Sequence, residues 1–251
     1  MVRLTILAAL ALAALAMPAS PDTSGRDPLI TIGLWNFDKG DARDSSDGGA
    51  NGVVHDVAFK DGCAILNGKS WIDLSIRAAT LRRGYRTLDI EIRAQFDRPE
   101  SYYGTIFSHP LFNIAVHALT STKGRPCFNF AGVVSVLAPD EGGDGRWGKG
   151  RPLSDETETE FFYWGWIGNG AIVIPAKTWV TIRTVYDGKA VLQYLDGKLV
   201  ATHKIKNPGA RIAIPTAVAD EHAVIGKQRV EIGAETAVAG TIDYVRVRGT
   251  R

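Results

Sequence analysis

The chain has 251 residues, 45% hydrophobic and 22% charged, proportions of an ordinary globular protein that exclude disorder as its default state. Its 29 Lys and Arg stand against 27 Asp and Glu, and the leader described next contains one of the basic residues, Arg3. What remains is close to neutral, which gives no electrostatic support for nucleic-acid or anionic-membrane partners.

In chain order, Arg3 is followed by an uncharged run from Leu4 to Met17. An apolar core of roughly a dozen residues is too short to cross a bilayer and reads as a secretory signal peptide, cleaved after Ala14-Leu15-Ala16. Residues 1–16 are thus expected to be a signal peptide, 17–28 a linker, and 29–251 one domain. The protein is expected to be secreted or periplasmic, without membrane insertion. From Ile30 on, runs of Val, Ile, Thr and aromatic residues are separated by Gly, Asp, Asn and Pro: Ile30–Phe37, Cys63–Leu66, Leu88–Phe96, Thr105–Phe107 and Leu111–His117. Only Ile76–Arg83 offers a helical turn, and no segment sustains a 3.6-residue period. These features predict an all-β protein, a two-sheet antiparallel sandwich or jelly roll. Cys63 and Cys127 are either bridged in an oxidising compartment or two small buried side chains in separate strands.

In Leu88–Phe96 the alternation sends Leu88, Ile90, Ile92, Ala94 and Phe96 inward and gathers Asp89, Glu91, Arg93 and Gln95 on the other face. Two carboxylates two residues apart on a strand are about 7 Å apart, a spacing a glycosidase pair uses. Arg93 beside them favours ionised acids and a paired outer face over a general acid. Farther on, Cys127–Gly170 is long and Gly-rich, with an acidic run from Asp155 to Glu160 and then "FFYWGWIGNG". Rings flanked by glycines suit sugar faces as well as a core, so Tyr163, Trp164 and Trp166 are candidate ligand residues, and Trp147, Tyr102, Tyr103 and His109 share their rim if the loops converge. In Trp179–Tyr186, Val180, Ile182, Thr184 and Tyr186 alternate with Trp179, Thr181, Arg183 and Val185. Asp187-Gly188 and Asp196-Gly197 then turn the chain twice into a three-stranded meander, since Gly accepts positive φ freely and Asp tolerates it.

The stretch "WVTIRTVYDGKAVLQYLDGKLVAT" closely resembles the meander of concanavalin A-like, laminin-G-type jelly rolls. "GLWNFDKGDARDSSDGGANGVVHDV" resembles their opening strand and loop, "GCAILNGKSWIDL" the next strand pair, "TLDIEIRAQF" the one after, and "AGTIDYVRVRGTR" the closing strand. The resemblance implies a jelly-roll sandwich over most of the chain from Ile30. Its functional content is broad, because this fold carries lectins, adhesion modules, hydrolases and lyases. Hydrolytic members carry a Glu-x-Asp-x-x-Glu strand, of which this chain has only Asp89-x-Glu91 followed by Arg93. A lyase-like set by analogy would use Tyr102 or Tyr103, His109 and Arg93. The resemblance also implies a structural Ca²⁺ held by Asp243, with a carbonyl of Gly68 and an oxygen of Asp38. The expected function is a secreted module binding a glycan or another extracellular polymer. The alternatives are a polysaccharide-cleaving enzyme, hydrolase or lyase, and a structural cell-envelope module.

Overall fold

The computed structural model describes residues 28–77, 85–97, 103–109, 112–120, 126–137, 159–163, 174–204, 222–227 and 237–250. The leader, Tyr102, Trp147, Trp164 and Trp166 lie outside them. The elements in chain order are β1 Ile30–Trp35, β2 Gly52–His55, β3 Ala58–Lys60, β4 Cys63–Asn67, β5 Trp71–Arg77, β6 Thr87–Phe96, β7 Tyr103–His109, β8 Phe112–Thr120 and β9 Pro126–Leu137. They continue with β10 Thr159–Tyr163, β11 Ile174–Pro175, β12 Val180–Tyr186, β13 Ala190–Leu195, β14 Lys198–Lys204, β15 His222–Ile225 and β16 Ala239–Thr250. The described residues contain no helix, and Ile76 and Arg77 belong to β5.

Two antiparallel sheets form. The first runs β14-β13-β12-β6-β16-β4-β3, with β1 also on β16; the second runs β10-β9-β8-β7-β15-β5-β2, with β11 also on β9. The closing strand β16 explains much of the first sheet. One of its edges pairs with the whole of β6, while the other pairs with β4 through its first half and β1 through its second, so it joins both ends of the domain. The architecture is the two-sheet jelly-roll sandwich that the alternation of short apolar strands predicts.

The core is the set of inward positions. Ile90, Ile92, Ala94 and Phe96 of β6, Val180, Ile182 and Tyr186 of β12, and Ile242, Val245 and Val247 of β16 are all buried, together with Trp35, Leu66, Ile72 and Ile225. Trp35 is wholly buried, donates its indole N–H to the Ala50 carbonyl at 2.9 Å, and lies over Gly33, where a Cβ would stand 2.3 Å from the ring. A side chain at position 33 is therefore excluded by the ring it would meet.

The meander β12-β13-β14 forms as expected, but its two turns differ. Asp196 (φ 49) and Gly197 (φ 76) make a two-residue hairpin between the paired Leu195 and Lys198. The Asp187-Gly188 turn is wider, because Tyr186 pairs with Val191, and the Asp187 carboxylate closes it by accepting the N–H groups of Lys189 and Ala190 at 2.8 and 2.7 Å. Both Asp side chains are structural; Asp196 also accepts the Thr181 N–H at 2.8 Å. The segment read as a strand pair, Gly62–Leu74, yields β4 and β5, which lie in different sheets. A tight turn carries the chain across, with Asn67 Oδ1 accepting from Lys69 and Ser70 N–H and Gly68 at φ 82. Cys63, in the first sheet, is a free thiol, and the backbone of Cys127 lies in the second, so the two cysteines occupy separate strands and no bridge forms.

Candidate functional site

The outer face of β6 is where the acidic pair was expected, and its register with its neighbours decides what that pair can do. Across the sheet, Arg183 of β12, Glu91 and Arg246 of β16 stand in one row, and Val185, Asp89 and Arg248 in the next. Residues in register on an antiparallel ladder share a face, so three arginines converge on two carboxylates.

Arg183 grips Asp89 with two parallel bonds, Nε to Oδ1 at 2.8 Å and Nη2 to Oδ2 at 2.9 Å, and Arg248 Nη2 adds a third at 2.5 Å. The guanidinium side chains so cover Asp89 that it is only 1% exposed although it points away from the core. The hydrogen-bonded carboxylate of Asp89 pushes the Arg183 guanidinium above its usual range. Glu91 accepts from Arg246 Nη2 and from the Tyr244 hydroxyl, both at 2.7 Å. Burial, reinforced by that bond to Glu91, pushes the Tyr244 phenol up to about 12. A general acid must hold a proton at working pH and reach the leaving-group oxygen. Here Asp89 has no surface to offer a substrate, and the Glu91 carboxylate is engaged by Arg246 and Tyr244. Asp89 and Glu91 are an ion-pair core of the sheet surface and not an exposed acid–base pair.

Arg93 does not share in this holding of Asp89 and Glu91. It pairs with Asp243 at 3.1 Å, beside the bulge in β16 between Ile242 and Tyr244, and its guanidinium stands 5.6 Å from the centre of the exposed Trp179 ring. Arg93 therefore sits in the first sheet, whereas His109 and the backbone of Tyr103 sit on β7 of the second, so the structure does not bring together a Tyr-His-Arg set. His109 is buried.

The candidate aromatic strand is represented by β10, the edge of the second sheet. Its register continues across the whole sheet: Tyr163 pairs with Val133, Val133 with Asn113, Asn113 with Ser108, Ser108 with Val224, Val224 with Asp73 and Asp73 with Val53. Tyr163 thus stands in register with Ser108, in the row beside His109. Tyr103 pairs with His117, farther along β7.

The residues named for calcium do not fit one site. Gly68 follows Asn67, the partner of Ala239, which places it four strand positions from Asp243, roughly 13 Å by strand rise. The Asp243 carboxylate is held by Arg93, and Asp38 Oδ2 accepts from Asn36 Nδ2 at 2.6 Å. Asp38 and Asp243 do meet electrostatically at Cys63, where burial first, then Asp243, Asp61 and Asp38 raise the thiol's pKa. Among the described residues no group of three Asp, Glu, His or Cys side chains is placed to hold a metal ion.

Two clusters were not anticipated from the sequence. One is the arginine row itself. The other lies on the β2–β5 edge, where the His55 ring stacks on Trp71 at 4.4 Å and 12°, His55 Nε2 meets Asp73 Oδ2 at 2.9 Å, and Lys227 Nζ stands 4.4 Å from the Trp71 centroid. The first had a signal: Arg246 and Arg248 are spaced two apart, as Asp89 and Glu91 are.

No protein-family model matches the chain, and no curated protein matches it in sequence. Solved structures do. Domain 4 of a GH43 extracellular arabinanase from Geobacillus stearothermophilus, in complex with arabinotriose, superposes with a TM-score of 0.55 at 16% identity, over 88% of this chain and 93% of that one. A mutant Trypanosoma rangeli sialidase displaying trans-sialidase activity superposes with a TM-score of 0.53 at 12% identity, over 88% of this chain and 31% of the sialidase. At these identities the likeness defines the class of fold, an all-β two-sheet sandwich of jelly-roll type.

Proposed function

We propose that this chain is an exported, noncatalytic glycan-binding module of the laminin-G-like jelly-roll type. The observation that carries the noncatalytic part is the burial of Asp89 under Arg183 and Arg248, which withdraws the Asp89–Glu91 pair from acid–base work. Glycan binding is supported by the similar arabinanase domain, which holds arabinotriose, and by the aromatic segment Phe161–Trp166 that begins on β10. Export is supported by the apolar leader Leu4–Met17.

A ring that stacks on a sugar contributes on the order of 1 kcal/mol or more. Tyr163→Ala, Trp164→Ala and Trp166→Ala are therefore expected to include at least one variant that binds arabinan roughly tenfold more weakly by affinity electrophoresis, with an unchanged melting temperature. If every one of the three lowers stability and none selectively lowers binding, these rings belong to the core and the proposed site is wrong.

A further inference from the structure

The outer face of the first sheet gathers arginines into a set of ion pairs. Four guanidiniums, from Arg93, Arg183, Arg246 and Arg248, meet three carboxylates, from Asp89, Glu91 and Asp243. Each guanidinium has five N–H donors. Arg246 and Arg248 each use one Nη2 donor on a carboxylate, and their Nε atoms are buried without a partner among the described residues. Arg183, Arg246 and Arg248 keep 34, 33 and 21% of their side-chain surface exposed, and Arg93 keeps 43%. The carboxylates thus fix the guanidinium planes, while part of each arginine side chain stays exposed to a ligand.

Two rings complete this face. Arg183 stands 5.3 Å from the centre of Tyr194, its partner in the β12–β13 ladder, and Arg93 flanks Trp179. Tyr194, Arg183, Glu91 and Arg246 form one row across four strands, which spans roughly 14 Å at ordinary strand spacing. A preoriented row of guanidinium forks between rings matches a chain of sugar rings carrying carboxylate or sulfate groups, because planar donors bind such oxyanions in pairs while the rings take the apolar sugar faces.

We infer that this arginine face is a second binding surface, selective for acidic glycans, beside the aromatic edge of the other sheet. The inference rests on the glycan-binding reading of the chain and adds a ligand class and a separate surface. It is tested by affinity electrophoresis of the full chain in gels containing polygalacturonate, a sulfated galactan or neutral arabinan. Retardation by at least one acidic polymer is expected, weakening several-fold as NaCl rises from about 0.05 to about 0.5 M. Arg246→Gln and Arg93→Gln should each lower affinity for that polymer about fivefold, and Arg246→Lys should lower it less than Arg246→Gln. Arg93 is the safeguard, since its partner Asp243 is itself 38% exposed and its replacement spares the buried pair. Lys39→Gln, which removes one exposed positive charge elsewhere, should leave affinity unchanged. Equal weakening by Lys39→Gln would show adsorption by net charge and overturn the inference. Binding of arabinan alone would overturn it and leave the proposed function standing, whereas binding of no polymer would overturn both.

Discussion

Asp89 is the residue on which the chemical reading turns. Breaking a buried ion pair from one side leaves the other side charged and unpartnered, which costs more than the pair contributed. Asp89→Asn should lower stability to urea by about 3 kcal/mol, because Arg183 and Arg248 would then face a neutral amide. An unchanged urea midpoint would mean that the arginines are not held as the structure places them. Tyrosine offers a pH test of the same surface. Burial pushes both Tyr186 and Tyr244 up to about 12, and Tyr244 also donates to Glu91. A folded pKa above the unfolded one, near 10 for tyrosine, means stability that is complete below pH 10 and is lost as pH rises through 12. Thermal unfolding followed between these pH values should show that loss, and Tyr244→Phe should reduce it. A flat profile across this window would contradict the buried, hydrogen-bonded phenol.

Among the elements, the opening loop shows how one side chain ties a loop to a strand. Asp44 Oδ1 accepts from Leu34 N–H, Ser46 N–H and Ser46 Oγ–H at 2.9, 2.8 and 2.7 Å, and Oδ2 accepts from Ala50 N–H at 2.9 Å. The same Ala50 takes the Trp35 indole bond, so Asp44 fixes the loop that closes over the core. Asp44→Ala should therefore cost about 2–3 kcal/mol in chemical denaturation, while Asp47→Ala, at an exposed position in the same loop, should cost little. Equal effects would remove Asp44's special place. The sequence made the strand faces legible, since β6 and β12 bury the alternate residues that their patterns assign inward. It left the partners of Asp89 hidden, because Arg183 and Arg248 lie 94 and 159 residues away and become neighbours only when β12 and β16 take their register on β6. Arg93 was visible as a local neighbour of the pair, yet the bulge at Asp243 gives it a different partner. The wider Asp187 turn is not legible for another reason: an Asp-Gly dipeptide fits a two-residue loop and a longer, side-chain-closed one alike.

For the whole molecule, the two outer faces divide the chemistry. The first sheet presents arginines anchored by buried acids; the second carries β10 on one edge and the His55-Trp71-Lys227 cluster on the other. In the proposed function the domain holds a polymer without cutting it. The direct test incubates the purified chain with the polysaccharide it retains and separates the soluble fraction by size and by ultraviolet absorbance. The account predicts retention with an unchanged chain-length profile and no unsaturated product. Accumulation of shorter reducing fragments, abolished by Glu91→Gln, would contradict it and restore a hydrolase.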